Sequence, residues 1–131
     1  MRRAILLILA PVAALSAPAL SQAPSAPPAT PSGEARPLSL EHRMLLRCSA
    51  AFALVAHGQE AGDEAALAYP PMRERGQTFF VHSSAKVIDE AGLDRSRLTA
   101  ALTEQALELR EGEALAQVMP ACLSALEAAG L

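Results

Sequence analysis

Two cysteines set the strongest constraint on the fold of this 131-residue chain. Cys48 and Cys122 are its only cysteines, and each lies in the middle of an apolar stripe with helical period. In an exported protein, an even count at two inward-facing positions favours a structural disulfide. Because a disulfide holds its Cα atoms within about 7 Å, the first and last helices must then be neighbours. The sequence therefore predicts a closed bundle.

A redox pair or a metal site is the alternative for these cysteines, and the spacing favours neither. The chain contains no Cys-x-x-Cys motif and no Cys-x-x-Cys-His motif for covalent haem. A structural zinc site takes four ligands, and no histidine flanks either cysteine. We therefore predict no catalytic, cofactor-binding or metal-binding residues, and expect the protein not to be an enzyme.

Residues 1–23 have the three-part pattern of a secretory signal peptide. Arg2 and Arg3 precede an apolar stretch over residues 4–15, and small residues follow it. The apolar stretch is shorter than the roughly 20 residues that cross a hydrocarbon core. The pattern predicts export to the bacterial periplasm or the medium, with no membrane association after cleavage.

Cleavage is expected after Ala19 or after Ala23, where small residues occupy the required positions. Residues 24–37 contain five prolines among small and polar residues, which predicts a flexible linker. Residues 38–131 then form one domain of small size. Both cleavage sites leave this domain intact.

The first predicted helix covers residues 40–57, with Ser39 as its N-cap and Gly58 ending it. Its expected inner face contains Leu40, Met44, Leu45, Cys48, Ala51, Phe52 and Val55. Residues 59–69 are alanine-rich but bounded by glycine and proline. We expect a loop there, with at most one helical turn.

Three more segments with helical period follow. The second predicted helix covers residues 71–91, with Gly76 and Phe80 on its inner face, and a Schellman motif at Gly92 ends it. The third runs from the N-cap Asp94 to about residue 110, and the fourth covers residues 113–129. Pro120 is expected to kink or restart the fourth helix, and Gly130 to end it. The fold class is therefore all-α, a bundle of about four helices.

The charge balance argues against nucleic acid as a partner. Removal of the two leader arginines leaves 9 Lys and Arg against 14 Asp and Glu, which changes the net charge from −3 to about −5. A nucleic-acid binder needs a basic face to neutralise phosphates. Neither the balance nor the distribution of charge provides one.

The histidines and methionines form no motif. We expect His42 and His82 to be solvated on outer helix faces, and His57 to lie at a helix C-terminus. Ser83 and Ser84 neighbour His82 without a nucleophile motif. Met44, Met119 and a histidine could serve as axial ligands in a noncovalent haem bundle, but methionines on apolar faces are usually core residues.

Two charged stripes could meet across a helix seam. Arg43 and Arg47 follow the first helix, and Glu104, Glu108 and Glu111 follow the third. Gln105 lies in the apolar face of the third helix, where we expect a buried, hydrogen-bonded amide. Leu46, Leu54 and Leu107 are placed on outer faces and could form a homodimer seam.

Together these features predict a non-enzymatic exported module that binds a protein or a small ligand. Its size, acidity and cross-linked helices are similar in general character to the small acid-stress chaperones of the bacterial periplasm. This resemblance concerns composition and architecture, so it assigns no functional residue. A small redox or cofactor-binding protein and a homodimeric structural module are the alternatives.

The leader makes a direct prediction. We expect the exported protein to begin at Leu20 or Pro24, because signal peptidase cleaves after small residues. Intact mass and N-terminal sequencing of the exported fraction test this. A protein that retains Arg2 and Arg3 in that fraction would contradict it.

Overall fold

The computed structural model describes residues 36–131; the predicted signal peptide and residues 24–35 of the predicted linker lie outside the described residues. The described part consists of five α-helices: α1 (Leu40–Ala61), α2 (Glu64–Leu67), α3 (Arg73–Ala91), α4 (Arg95–Leu109) and α5 (Ala114–Ala128). No strand occurs in this range. The all-α prediction is confirmed, with α1, α3, α4 and α5 as the four predicted helices.

α1 is the central helix, because it packs against each of the other four and most extensively against α3 and α4. Small side chains permit this packing, and Ala50 and Ala51 of α1 are both buried. On α3, a Cβ added at Gly76 would lie only 3.0 Å from the Phe52 Cβ. Gly76 lies on the inner face of α3, as predicted, and its missing Cβ allows α3 to approach α1 closely.

The core consists of two clusters of buried side chains. In the larger cluster, the Phe52 and Phe79 rings meet edge to face with their centroids 5.2 Å apart. The smaller cluster joins α1, α3 and α4 and contains Leu46, Val87, Ala91 and Leu98. The two clusters lie at opposite ends of the contact between α1 and α3.

The disulfide between Cys48 and Cys122 joins α1 to α5, which confirms the predicted cross-link. The Cα atoms are 5.1 Å apart, and both cysteines are at most 1% exposed. The cysteines are 74 residues apart in sequence. Closure of such a loop contributes about 4.5 kcal/mol in the chain-entropy model, which is comparable to the net stability of many small domains.

The end of α1 differs from the prediction. Gly58 does not end the helix, which continues to Ala61 and stops at Gly62 with φ 76°. The Gly62 N–H donates to the Gln59 carbonyl and the Asp63 N–H to the Gly58 carbonyl, as in a Schellman motif. A Cβ at Gly58 would lie 2.7 Å from the Ala66 Cβ. The glycine at 58 thus permits the approach of α2.

Gln59 organises the connection between α1 and α3. Its Nε2 lies 3.0 to 3.1 Å from the carbonyl oxygens of Ala66, Tyr69 and Pro70, which share its two hydrogens. Its Oε1 accepts from the Met72 N–H at 3.0 Å. Residues 59–69 therefore contain the last turn of α1 and the single turn of α2, rather than a loop alone.

Three apolar side chains lie opposite to their predicted placement. Leu46, expected outside, is 1% exposed, whereas Leu40 and Phe80, expected inside, are 71% and 38% exposed. This placement assumes one buried face per helix, but α1 contacts all four other helices and is buried on more than one face. Leu46 therefore packs in the smaller cluster, while Leu40 lies in the first turn, at the edge of the domain.

The other helix ends follow the sequence closely. Gly92 has φ 68° and its N–H donates to the Ile88 carbonyl, the single bond of the αL motif instead of the predicted Schellman pair. At the end of α5, the N–H groups of Gly130 and Leu131 donate to the Glu127 and Leu126 carbonyls in a Schellman motif, which confirms that Gly130 ends the helix. Of the two predicted effects of Pro120, a kink or a restart, the restart is excluded, because α5 continues through Pro120 as one helix.

We expect the double variant Cys48→Ala/Cys122→Ala to lose about 2–4 kcal/mol of unfolding free energy, because its unfolded chain is no longer constrained. Urea denaturation followed by circular dichroism measures this loss. Wild-type protein reduced before denaturation is the control and should behave similarly. An unchanged midpoint, or two alkylatable thiols in the unreduced protein, would contradict the structural role.

Candidate functional site

A polar network connects the start of α1 to the end of α3 around His42. The His42 ring is buried, and its Nε2 lies 2.9 Å from Glu90 Oε2. The Ser39 N–H donates to His42 Nδ1, and Ser39 Oγ accepts from the His42 N–H at 3.0 Å. These reciprocal bonds form a capping box. The prediction that His42 is solvated is wrong, because α3 covers this side of α1.

Lys86 extends the network. Its Nζ lies 2.6 Å from Glu90 Oε1 and 3.5 Å from Glu41 Oε1. The hydrogen bond from Lys86, followed by that from His42, lowers the pKa of Glu90, and the same Lys86–Glu90 bond raises the pKa of Lys86. These hydrogen bonds and ion pairs join residues of α1 to residues of α3, so the network stabilises the contact between the two helices.

The remaining candidate residues do not form a reactive site. His82 is exposed as expected. His57 is also exposed, but it lies within α1 and not at the predicted C-terminus, because the helix continues to Ala61. No hydrogen bond in the described range joins His82 to Ser83 or Ser84. Met119 is fully buried in the core. Within residues 36–131, no group of three or more His, Cys, Asp or Glu side chains is placed to hold a metal ion.

An open cleft of about 410 Å³, which we call the α1–α4 cleft, separates the first turns of α1 from α4. Its apolar lining includes Leu38, Leu40, Met44 and Ala101. Its charged side chains are Arg43, Arg47, Glu104 and Glu108. The predicted charged stripes of the two helices thus face each other across this cleft.

One ion pair crosses the cleft. Arg47 Nη1 donates to Glu108 Oε2 at 2.7 Å and to Gln105 Oε1 at 3.0 Å. The predicted pairing of the stripes is confirmed for these residues, and Gln105 is half-buried and hydrogen-bonded. Arg43 instead donates to the Leu38 carbonyl at 3.0 Å. In the described part of the chain, no basic side chain lies within ion-pair distance of Glu104.

A second opening, which we call the apolar groove, lies over α1 between α3 and α4. It consists of two adjoining depressions of about 300 and 330 Å³, which share Ala53 of α1 and Phe80 of α3. Its floor is formed by small residues of α1, Ser49, Ala50, Ala53 and Ala56. Its α4 wall consists of Thr99, Leu102, Thr103 and Ala106. Arg73, at one end, is the only charged residue that lines it in the described range.

The predicted leucine seam for a homodimer is not present as expected. Leu46 is buried and Leu54 is half-buried in contact with the core, so of the three only Leu107 is largely exposed, at 58%. The central position of α1 explains this, since α3 and α4 cover the face assigned to Leu46. The signal that the sequence analysis missed is the series of small residues that forms the floor of the apolar groove.

The fold and these openings define a small all-α domain closed by one disulfide. Comparison with protein families, with characterised proteins and with solved structures found no match to this chain. Among residues 36–131, no helix has the length and apolar character needed to cross a membrane.

We expect Glu90→Gln to lower the melting temperature at pH 7 more than at pH 3. A carboxylate whose pKa is lowered by folding stabilises the folded state above its ordinary pKa of 4.5, and this stabilisation is lost as the pH falls through the folded-state value. Circular dichroism melts at both pH values measure it. Glu127→Gln, at an exposed position of α5, is the control. A Glu90→Gln effect of equal size at both pH values would contradict the ion-pair role.

Proposed function

We propose that this protein is an exported, non-enzymatic binding module that holds an amphipathic helix of a partner protein in its apolar groove. The single observation that carries the proposal is the opening over α1, whose floor of small residues is exposed at Ala53 and half-buried at Ala56, beside the buried Ser49 and Ala50. Ala53 is exposed in the middle of this floor, between Phe80 of α3 and Leu102 of α4. A central helix of a bundle would normally be covered on this side as well.

The shape of the groove fits a helix. From Ser49 to Ala56 the floor extends roughly 10 Å along α1, the length of about two helical turns. Small floor residues allow a helix backbone to approach closely, and Phe80 provides a large apolar wall. Recognition of an amphipathic helix in an apolar groove is a recurring mode of peptide binding.

The charge distribution supports an amphipathic occupant rather than a fully polar one. The lining of the groove is uncharged apart from Arg73, whose Nη1 is already 3.1 Å from Glu60 Oε1. A ligand with charges at the floor would lose their hydration without gaining partners. The apolar face of an amphipathic helix avoids this cost and leaves its polar face in water.

The disulfide supports the exported setting. Structural disulfides persist in oxidising compartments, and the leader-like pattern of residues 1–23 predicts delivery to one. The burial of both cysteines favours a structural role over a redox role, because a redox partner must reach a sulfur atom. We place the module in the bacterial periplasm, where a chaperone-like role would expose the groove to unfolded clients.

The test is the binding of a labelled, designed amphipathic helix, with leucine on one face and lysine and glutamine on the other, measured by fluorescence anisotropy. We expect Ala53→Glu to weaken binding by about tenfold or more, because a carboxylate in the floor must be desolvated. The same variant should lose suppression of client aggregation. The control is Ala85→Glu, at an exposed alanine of α3 that does not line the groove.

Equal peptide binding by Ala53→Glu and Ala85→Glu would overturn the proposed site. Sedimentation equilibrium of the unmodified protein provides a second measurement. A concentration-dependent dimer that Ala53→Glu abolishes would show that a second copy of this chain, and not a partner helix, covers the groove.

A further inference from the structure

The α1–α4 cleft lies on a different face of α4 from the apolar groove. Ala101, Glu104, Gln105 and Glu108 line the cleft, whereas Thr99, Leu102, Thr103 and Ala106 line the groove. Each set follows the i, i+3, i+4, i+7 spacing of one helix face, and the two sets interleave along the chain. The cleft is therefore a separate surface, and a partner helix in the groove leaves it open.

The floor of the cleft is apolar. Met44 is half-buried and Leu46 is fully buried beneath it, and Leu40 beside it is 71% exposed. An apolar ligand group placed here would cover part of Leu40 and contact the flexible thioether side chain of Met44. The volume of about 410 Å³ lies in the range typical of small-molecule sites.

The charges of the cleft balance, with two arginines and two glutamates. Arg47 and Glu108 already neutralise each other at 2.7 Å. Arg43 has one donor bonded to the Leu38 carbonyl, which fixes the guanidinium and leaves its other donors available. Glu104 has no ion-pair partner in the described residues. One cation and one anion therefore remain to recognise a ligand.

We propose that the α1–α4 cleft binds a small zwitterion with an apolar side chain, of the α-amino-acid class. Arg43 binds the ligand carboxylate, Glu104 binds its ammonium group, and the side chain covers Leu40 and Met44. The hydrogen bonds from Arg47 to Glu108 and Gln105 join α1 to α4 beside this site. This site is independent of the helix-binding groove proposed above.

The charge pattern selects this ligand class over two simpler ones. An apolar carboxylate would bind Arg43 but would meet the unpaired Glu104 carboxylate, and an apolar amine would bind Glu104 but would meet Arg43. Each would therefore leave one of the two protein charges without a partner and close to a like charge of the ligand. A molecule that carries both charges pairs with both residues.

The experiment is a titration of ¹⁵N-labelled protein with L-leucine, followed by amide chemical shifts. We expect saturable shifts in residues 38–47 and 101–108. N-acetyl-L-leucine lacks the ammonium group and L-leucinamide lacks the carboxylate, so each should bind about tenfold or more weakly than leucine. Shifts that are absent at millimolar leucine, or equal affinities for the three compounds, would overturn the proposal.

Two variants assign the charges. Arg43→Gln should bind leucine and leucinamide equally, because the group that distinguishes a carboxylate from an amide is gone. Glu104→Gln should bind leucine and N-acetyl-leucine equally, because the carboxylate that distinguishes an ammonium group from an acetylated amine is gone. If either variant keeps the full discrimination of the wild type, the assignment of that residue is wrong.

The controls are Arg95→Gln and Glu127→Gln, which remove one exposed charge of each sign away from the cleft. Both should bind leucine with the wild-type affinity. Ala53→Glu should also bind leucine normally, so loss of the groove and loss of the cleft are distinguishable. Unchanged amide shifts outside the cleft show that each variant is folded.

Discussion

The bond between Cys48 and Cys122 ties the last helix to the middle of the first, and the arrangement of the other helices follows from this connection. With α5 held on one side of α1, α3 and α4 pack on the remaining surface. They meet α1 extensively but contact each other little. The apolar groove is the space between α3 and α4. The disulfide therefore closes one part of the α1 surface, while the groove leaves another part of it open.

The positions of the helices and the cross-link could be predicted from the sequence, because apolar periodicity and cysteine placement are local patterns. The assignment of inside and outside failed where it depended on tertiary arrangement. One buried face per helix predicts an outer position for Leu46, whereas the central helix α1 has more than one buried face and Leu46 is buried. Gly58 was interpreted as a helix end, although its missing Cβ instead makes room for Ala66.

The candidate sites were predictable only in part. The facing stripes of Arg47 and Glu108 follow from charge spacing once α1 and α4 are neighbours, and this pair is present. His42 has no sequence motif, and its burial results from contact with α3 through Glu90. The groove floor could not be distinguished from ordinary helix-forming alanines, because small residues favour both helix formation and close packing.

Gln59 shows how one amide can replace a longer stretch of secondary structure. Its two amide hydrogens are shared by three main-chain carbonyls, and its oxygen accepts from the Met72 N–H that precedes α3. The connection from α2 to α3 is therefore specified by a side chain that lies outside it. Because Gln59 bonds main-chain atoms, the side chains of the residues that it contacts matter little to this bonding. A glutamate at position 59 would instead place a carboxylate oxygen against three carbonyl oxygens, and the repulsion would destabilise the turn.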